Sequence, residues 1–336
     1  MRTSIDLRLI EGDLLTIPVD LVCFKHAQSF YGVDLAAIAK LTASGAYGET
    51  DFAIASGAAR VVTTDGALAA PRAAFLGTGR LGELRYHELR LLAGRMLTLA
   101  EGEGARTLAT TVHGVRAGLD EAEAVLALVG GFVEAFQRGA GGDVAEIWIV
   151  EKSAARARRM REALAAGLAS TTGVVARPDG FRVERSVEFR PSPRLATAGT
   201  ASQDKPHAFV AMPFAAELDD VYHYGIAGPI KAAGLLCERV DQAVFTGLII
   251  EHIRGRIDTA SVVVADLTLA NPNVYLEVGY AWGRGRPTIL LVRDVKELRF
   301  DVAGHRCLVY QSIRHLEDLL TAELRRLPPP GAVSAS

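Results

Sequence analysis

Cysteine is scarce in this chain. Cys23, Cys237 and Cys307 are all there is, odd in number, scattered, and without the spacing that holds a metal. That excludes a disulfide framework, and the three read as small hydrophobes buried in a protein of the reducing cytoplasm. An excess of one charge is lacking too. Lys and Arg total 37 against 39 Asp and Glu, so no net field draws the chain to nucleic acid or to an anionic membrane. No apolar run approaches the ~20 residues of a membrane helix, and the opening M-R-T-S-I-D-L is not a signal peptide. Trp148 and Trp282 stand too far apart for a base-stacking platform. His26, His113 and His252 have no zinc spacing, so no metal and no required cofactor is expected. Arg156, Arg158, Arg159 and Arg161 fit a solvated helix face, and no internal repeat is present.

What is present is organised in two α/β halves. Length suits two domains with their own cores. Between Arg190 and Pro206 the chain reads R-P-S-P-R-L-A-T-A-G-T-A-S-Q-D-K-P, without hydrophobic period, which predicts a linker over 191–206. The domains expected are 1–190 and 207–327, followed by a disordered P-P-P-G-A-V-S-A-S tail over 328–336. In the second half, strands predicted at His207–Met212, Leu235–Val240, Val262–Ala265 and Thr288–Val292 alternate with helices. That alternation predicts a three-layer α/β/α domain with a doubly wound, mostly parallel sheet.

The chemistry concentrates in V-V-V-A-D-L-T-L-A-N-P-N-V-Y-L-E-V-G-Y-A-W-G, Val262 to Gly283. A β-branched run predicts a strand buried on both faces and ending at Asp266. Asn271 suits a helix N-cap and Pro272 the first helical position. Asn273 and Glu277 then lie one turn apart. Carboxylates at a strand end and in the following helix converge on the crevice where open parallel sheets bind ligands. Phe214, Arg239, Asp241 and Asp294 end other strands at that edge. Glu277 also reads as an acid favoured near a helix N-terminus, and Asp266 as a turn residue.

The first half has strands predicted at Ile5–Ile10, Leu21–Phe24, Arg60–Thr63, Ala73–Leu76, Thr107–Thr111 and Glu146–Val150. Two helices carry core stripes, Leu89, Leu92, Met96 and Leu99 on one, Val125, Leu128, Phe132 and Phe136 on the other. Two glycine loops lie between strand and helix: Gly77-Thr78-Gly79-Arg80-Leu81-Gly82 and His113-Gly114-Val115-Arg116-Ala117-Gly118. Such junctions read either as anion sites built of backbone N–H groups or as tight turns that need glycine. No acid ends a strand about 20 residues after the first loop, which argues against a dinucleotide-binding fingerprint.

F-V-A-M-P-F, a Tyr in the first helix (Tyr222), E-R-V-D, and A-D-L-T-x-x-N-P-N-V-Y-x-E-V-G-Y-A together resemble the nucleoside 2-deoxyribosyltransferase-like and TIR-like superfamily over 207–312. The resemblance implies cleavage of a ribosyl–base bond of NAD or a nucleotide. It places Glu277 at the anomeric carbon and Asp266 at the sugar, with Phe214, Tyr222, Asp241 and Asn273 lining the substrate. More loosely, residues 5–170 resemble a macro domain, or the macro-like N-terminal domain of leucine aminopeptidases. G-D-L-L at Gly12–Leu15 matches its G-D-[IL], which puts Asp13 at an adenine, and H-G-V-R-A-G-L-D looks like its late phosphate loop. Ligand contacts are thereby expected at Asp13, Gly77, Gly79, Gly114, Arg116 and Gly118. Lys25-His26-Ala27-Gln28 stands where hydrolytic macro domains carry an Asn-rich stretch, so sensing of a small nucleotide is implied rather than hydrolysis. A nucleotide sensor ahead of a TIR-like effector implies bacterial antiviral defence and assembly into a homo-oligomer. The alternatives are a nucleotide-salvage transferase or hydrolase, and a pair of binding modules without catalysis.

Overall fold

The computed structural model describes residues 2–26, 32–79, 84–202, 204–240, 249–299, 302 and 304–327. By its contacts the chain forms two α/β units, Met1–Val115 with Glu121–Gln203, and Arg116–Asp120 with Asp204–Ser336. Among the described residues no helix is long and apolar enough to cross a membrane.

The first unit is built on an eight-stranded sheet ordered β3-β4-β2-β5-β6-β1-β8-β7. Its strands are β1 (Ser4–Glu11), β2 (Leu21–His26), β3 (Ala59–Thr63), β4 (Arg72–Gly77), β5 (Thr107–Thr110), β6 (Glu146–Glu151), β7 (Val174–Arg177) and β8 (Gly180–Glu184). The central β4-β2-β5-β6-β1 are parallel, while β3 and the β8-β7 pair run antiparallel at the two edges. β2 is buried along its whole length, as expected of a central parallel strand covered on both faces. The β7–β8 hairpin escapes sequence reading because β7 is mostly exposed and carries no alternation. Phe24 stacks on Phe75 at 5.1 Å, and Phe52 meets Phe75 edge-on at 4.9 Å, filling one face. Helices α1 (Gly32–Ala43), α2 (Tyr86–Gly102), α3 (Glu121–Gln137) and α4 (Ala154–Leu168) cover the sheet. The predicted stripes of α2 and α3 are core, except that Leu99 is only half-buried and Leu97 takes its place.

The stretch read as a linker is folded for most of its length. Helix α5 (Pro193–Thr197) is capped by Ser192, whose Oγ accepts from Leu195 N, and Leu195 is 1 % exposed. Arg90 on α2 donates through Nη1 to the carbonyls of Leu195 (2.9 Å) and Ala198 (2.6 Å). Ser202 Oγ donates to Glu123 Oε1 at 2.6 Å. A single buried leucine and main-chain bonds to a distant arginine leave no periodic trace, which is why composition alone reads as linker. The first unit therefore extends to residue 203, past the predicted end at 190.

The second unit has five parallel strands, β9 (His207–Ala211), β10 (Leu236–Glu238), β11 (Val262–Asp266), β12 (Thr288–Val292) and β13 (Cys307–Val309). Their order is β10-β9-β11-β12-β13, a doubly wound arrangement whose order reverses between β9 and β11. Alternate residues of one strand feed opposite cores. Val262 and Val264 face a core with Ile230, Leu316 and Leu320, while Val263 and Ala265 face one with Ile253, Ile257, Val274 and Val278. Helices α6 (Ala227–Ala232) and α9 (Ile313–Leu324) thus serve one face, α7 (Ile249–Thr259) and α8 (Pro272–Gly283) the other. The predicted Tyr222 helix opens as a π-turn over Val221–Ile226, with Ala227 N–H bonded to Tyr222 O. Pro229, lacking an N–H, cannot form the ordinary bond four residues back.

Candidate functional site

In the second unit the site is built from strand ends. Because the five strands are parallel, all their carboxyl ends lie on one edge. β11 ends at Asp266, which is 0 % exposed. Its Oδ1 accepts from Thr268 N (3.0 Å) and its Oδ2 from the Tyr310 hydroxyl (2.8 Å). The Thr268 hydroxyl in turn lies 3.3 Å from that of Tyr310 and accepts from Arg293 N at 3.2 Å. Burial pushes the Asp266 carboxyl above its usual range, against the pull of these hydrogen bonds. Tyr310 follows β13, a three-residue strand with no legible sequence signal, so its part in holding Asp266 is a feature the sequence reading missed.

From Asp266 the chain turns sharply. Leu269 (φ 68°) and Ala270 (φ 45°) are consecutive non-glycine residues in the left-handed region, a conformation that stores strain and clusters at functional sites. Asn271 then caps α8, its side chain accepting from Asn273 N at 2.9 Å, with Pro272 at the first helical position. Glu277, in the second turn, is only 7 % exposed, whereas Asn273 is exposed. The one-turn spacing holds, but the two side chains occupy different surroundings.

Phe214 follows β9 and is 46 % exposed. Arg239, just past β10, lies with its guanidinium carbon 3.6 Å from the Phe214 ring centre and 4.7 Å from that of Tyr222. Arg239 Nη2 donates to Pro213 O at 2.9 Å. The Cys237 thiol donates to the Tyr222 hydroxyl at 3.7 Å, and burial raises the pKa of both groups, the thiol's to about 12. Cys237 is thus a packed hydrophobe and not a nucleophile at neutral pH. Asp241 lies outside the described residues.

The first unit also gathers polar groups at the carboxyl edge of its parallel strands. Asp13, after β1, accepts from Leu15 N (3.0 Å) and pairs with Lys152 Nζ (2.8 Å). Burial would raise its pKa, but Lys152 and the Leu15 N–H outweigh that and hold it low. Lys152 is well exposed, so this pair is of the weak surface kind and open to displacement. Gly77 ends β4 with both backbone groups engaged: its N–H goes to Ala58 O, and its carbonyl accepts from Gly57 N and Arg95. A Cβ there would lie 1.9 Å from Ala55 O, so close packing accounts for this glycine. Gly79 is half-exposed beyond it. Gly114 needs glycine for another reason, its φ of 84°. Arg116 and Gly118 fall in the Arg116–Asp120 stretch, grouped with the second unit; Gly118 has φ 107° and sits against Val240.

Sequence reasoning missed a buried cluster beside these loops. Lys25 Nζ meets Asp34 Oδ2 at 2.9 Å, both side chains no more than 4 % exposed. His26 ends the same strand, and His113 lies 3.4 Å from the Thr110 hydroxyl. Burial first and the Lys25 ammonium second lower the pKa of both histidines, His113 well below 6.5. The signal available was an apolar strand ending in Lys-His. A depressed histidine pKa means the unfolded chain takes up a proton that the folded one refuses. Stability is therefore present above pH 6.5 and lost as pH falls below it, by up to about 1.4 kcal/mol per pH unit for each such histidine. Urea midpoints of wild type and His113→Gln between pH 7.5 and 5.5 check this. The variant should lose less on acidification, and parallel curves would assign the acid sensitivity elsewhere.

About half of the chain is similar to solved macro domains. A variant of the Oceanobacillus iheyensis macrodomain shares 15% identity at TM-score 0.40, over 49% of this chain and 97% of that one. The Trypanosoma brucei macrodomain in complex with ADP shares 17% at 0.40, over 47% and 69%. The macro domain of ganglioside induced differentiation associated protein 2 shares 14% at 0.40, over 48% and 83%. No protein-family model and no curated protein matches the chain.

Proposed function

We propose that the second unit breaks a ribosyl–base N-glycosidic bond, of NAD or a nucleotide, under the control of a nucleotide-type ligand bound by the first unit, in bacterial antiviral defence. The observation that carries the catalytic reading is the pair of buried carboxyl groups, Asp266 and Glu277, on a strand end and the next helix at the point where the strand order reverses. Breaking the C1′–N bond sends its electron pair to the departing base and leaves oxocarbenium character on the sugar. Glu277 stabilises that charge or bonds to C1′. Asp266, whose carboxyl burial holds above its usual range, is the proton donor to the base nitrogen of a neutral nucleotide. The nicotinamide of NAD, by contrast, leaves as a neutral ring without a proton. Water or an acceptor hydroxyl then attacks C1′, displacing the Glu277 carboxylate where it has bonded. The attacking group's proton goes to Asp266 once that residue has given one up, or to solvent when NAD is the substrate. Asn273, Phe214, Tyr222 and Asp241 are the substrate contacts in this scheme.

Incubating the purified chain with NAD, nucleosides and nucleotides and following released base by chromatography tests the scheme. Release from one of them is expected; none from any would leave two binding modules without catalysis.

For the first unit, ADP-ribose is the probe. Calorimetric titration should show binding that Gly114→Val weakens at least about tenfold, since a β-branched residue at positive φ displaces the loop's N–H groups. Unchanged affinity in the variant would remove this loop from the site.

A further inference from the structure

The arrangement of Arg239 between two aromatic rings points beyond the identity of the catalytic acids. Phe214 has one face covered by the Arg239 guanidinium at 3.6 Å, yet the residue stays 46 % exposed. Its open surface is therefore the opposite face and the ring edge, at the same sheet edge as Asp266. Arg239 itself is 6 % exposed, tied to Pro213 O and backed by Tyr222 at 4.7 Å. A cation this dry acts strongly on a ring it touches. It draws π density to the inner face and leaves the outer face short of electrons.

We propose that Phe214, backed by Arg239, is the base platform of the second unit and selects neutral, electron-rich purines over cationic pyridinium rings. This rests on the reading that the edge holding Glu277 takes a ribosyl substrate. A base stacked on the outer face sits about 3.5 Å above the ring. It lies, then, roughly 7 Å from the guanidinium. A neutral purine gains from an electron-poor partner there. A pyridinium meets a like charge, worth about tenfold in affinity after solvent screening.

Adenosine and nicotinamide riboside, which carry the same sugar, separate the two cases. Binding to the full chain is measured by calorimetry, and the part lost in Phe214→Leu is the part at this site. Adenosine should bind about tenfold more tightly. Arg239→Met should bring the two affinities together, whereas Arg239→Lys, which keeps the charge, should preserve the preference. Each variant is compared at matched melting temperature. Equal or inverted affinities in wild type, a preference untouched by Arg239→Met, or no Phe214-dependent adenosine binding overturns the platform. Base release assayed on the same two nucleosides keeps the readings apart. Release without preference sinks the platform and leaves the glycosidase standing, while preference without release does the reverse.

Discussion

Glu277→Gln is expected to slow base release by at least about 10²-fold, the usual cost of removing one positioned electrostatic group from a transition state. Glutamine keeps the size and most of the hydrogen bonding of the residue but cannot carry the charge that faces an oxocarbenium ion or bond to C1′. The fall should appear in kcat, because the charge matters where positive character develops and little where neutral substrate binds. The fold should tolerate the change. Glutamine fills the same buried volume in the second turn of α8, and the Asn271 cap and Pro272 are untouched. Rates compared at matched melting temperature decide the matter, and equal rates would remove Glu277 from the mechanism.

Lys25→Met should destabilise the first unit by about 3–5 kcal/mol, since removing one partner of a buried ion pair strands the other. The Lys25–Asp34 pair is more than nine-tenths buried on both sides, and Asp34 Oδ1 has no other hydrogen-bond partner among the described residues. Burial already pushes the Asp34 carboxyl above its usual range against the pull of Lys25. Without the lysine it would protonate or drag the end of β2 apart. Lys25→Met with Asp34→Leu should recover most of the loss, because an apolar pair of similar volume is often neutral or stabilising in place of a buried ion pair. Chemical denaturation of the wild type, the single variants Lys25→Met and Asp34→Leu, and the double variant gives the coupling directly. Additive effects would mean that the two residues act through other neighbours.

The readability of the chain varied with how local the cause was. β12 is found where its T-I-L-L-V run stands, and α8 begins where Asn271-Pro272 predicts, because burial on both faces and capping act within a few residues. β13, α5 and the β7–β8 hairpin were not legible. Each is held by contacts distant in sequence, such as Arg90 on the carbonyls of Leu195 and Ala198. The placement of Asp266 at a strand end and of Glu277 in the helix that follows could be read from strand end and helix start. Neither the Lys25–Asp34 pair nor the Arg239–Phe214 contact could, since each joins residues from separate elements.

By itself the sequence determined the α/β class, the two-part layout, and the strand end and helix start that bring Asp266 and Glu277 to one edge. Those follow from hydrophobic period, turn chemistry and capping, all short-range. Only the tertiary structure decided what each polar group experiences. The Asp266 carboxyl is raised because the assembled sheet buries it, while the Tyr310 hydroxyl, just past a strand two places along the sheet, pulls the other way. Gly77 becomes a packing glycine because Ala55 crosses it. Burial and partner identity are properties of the assembled sheet, and they set the protonation and the polarisation on which the proposed chemistry depends.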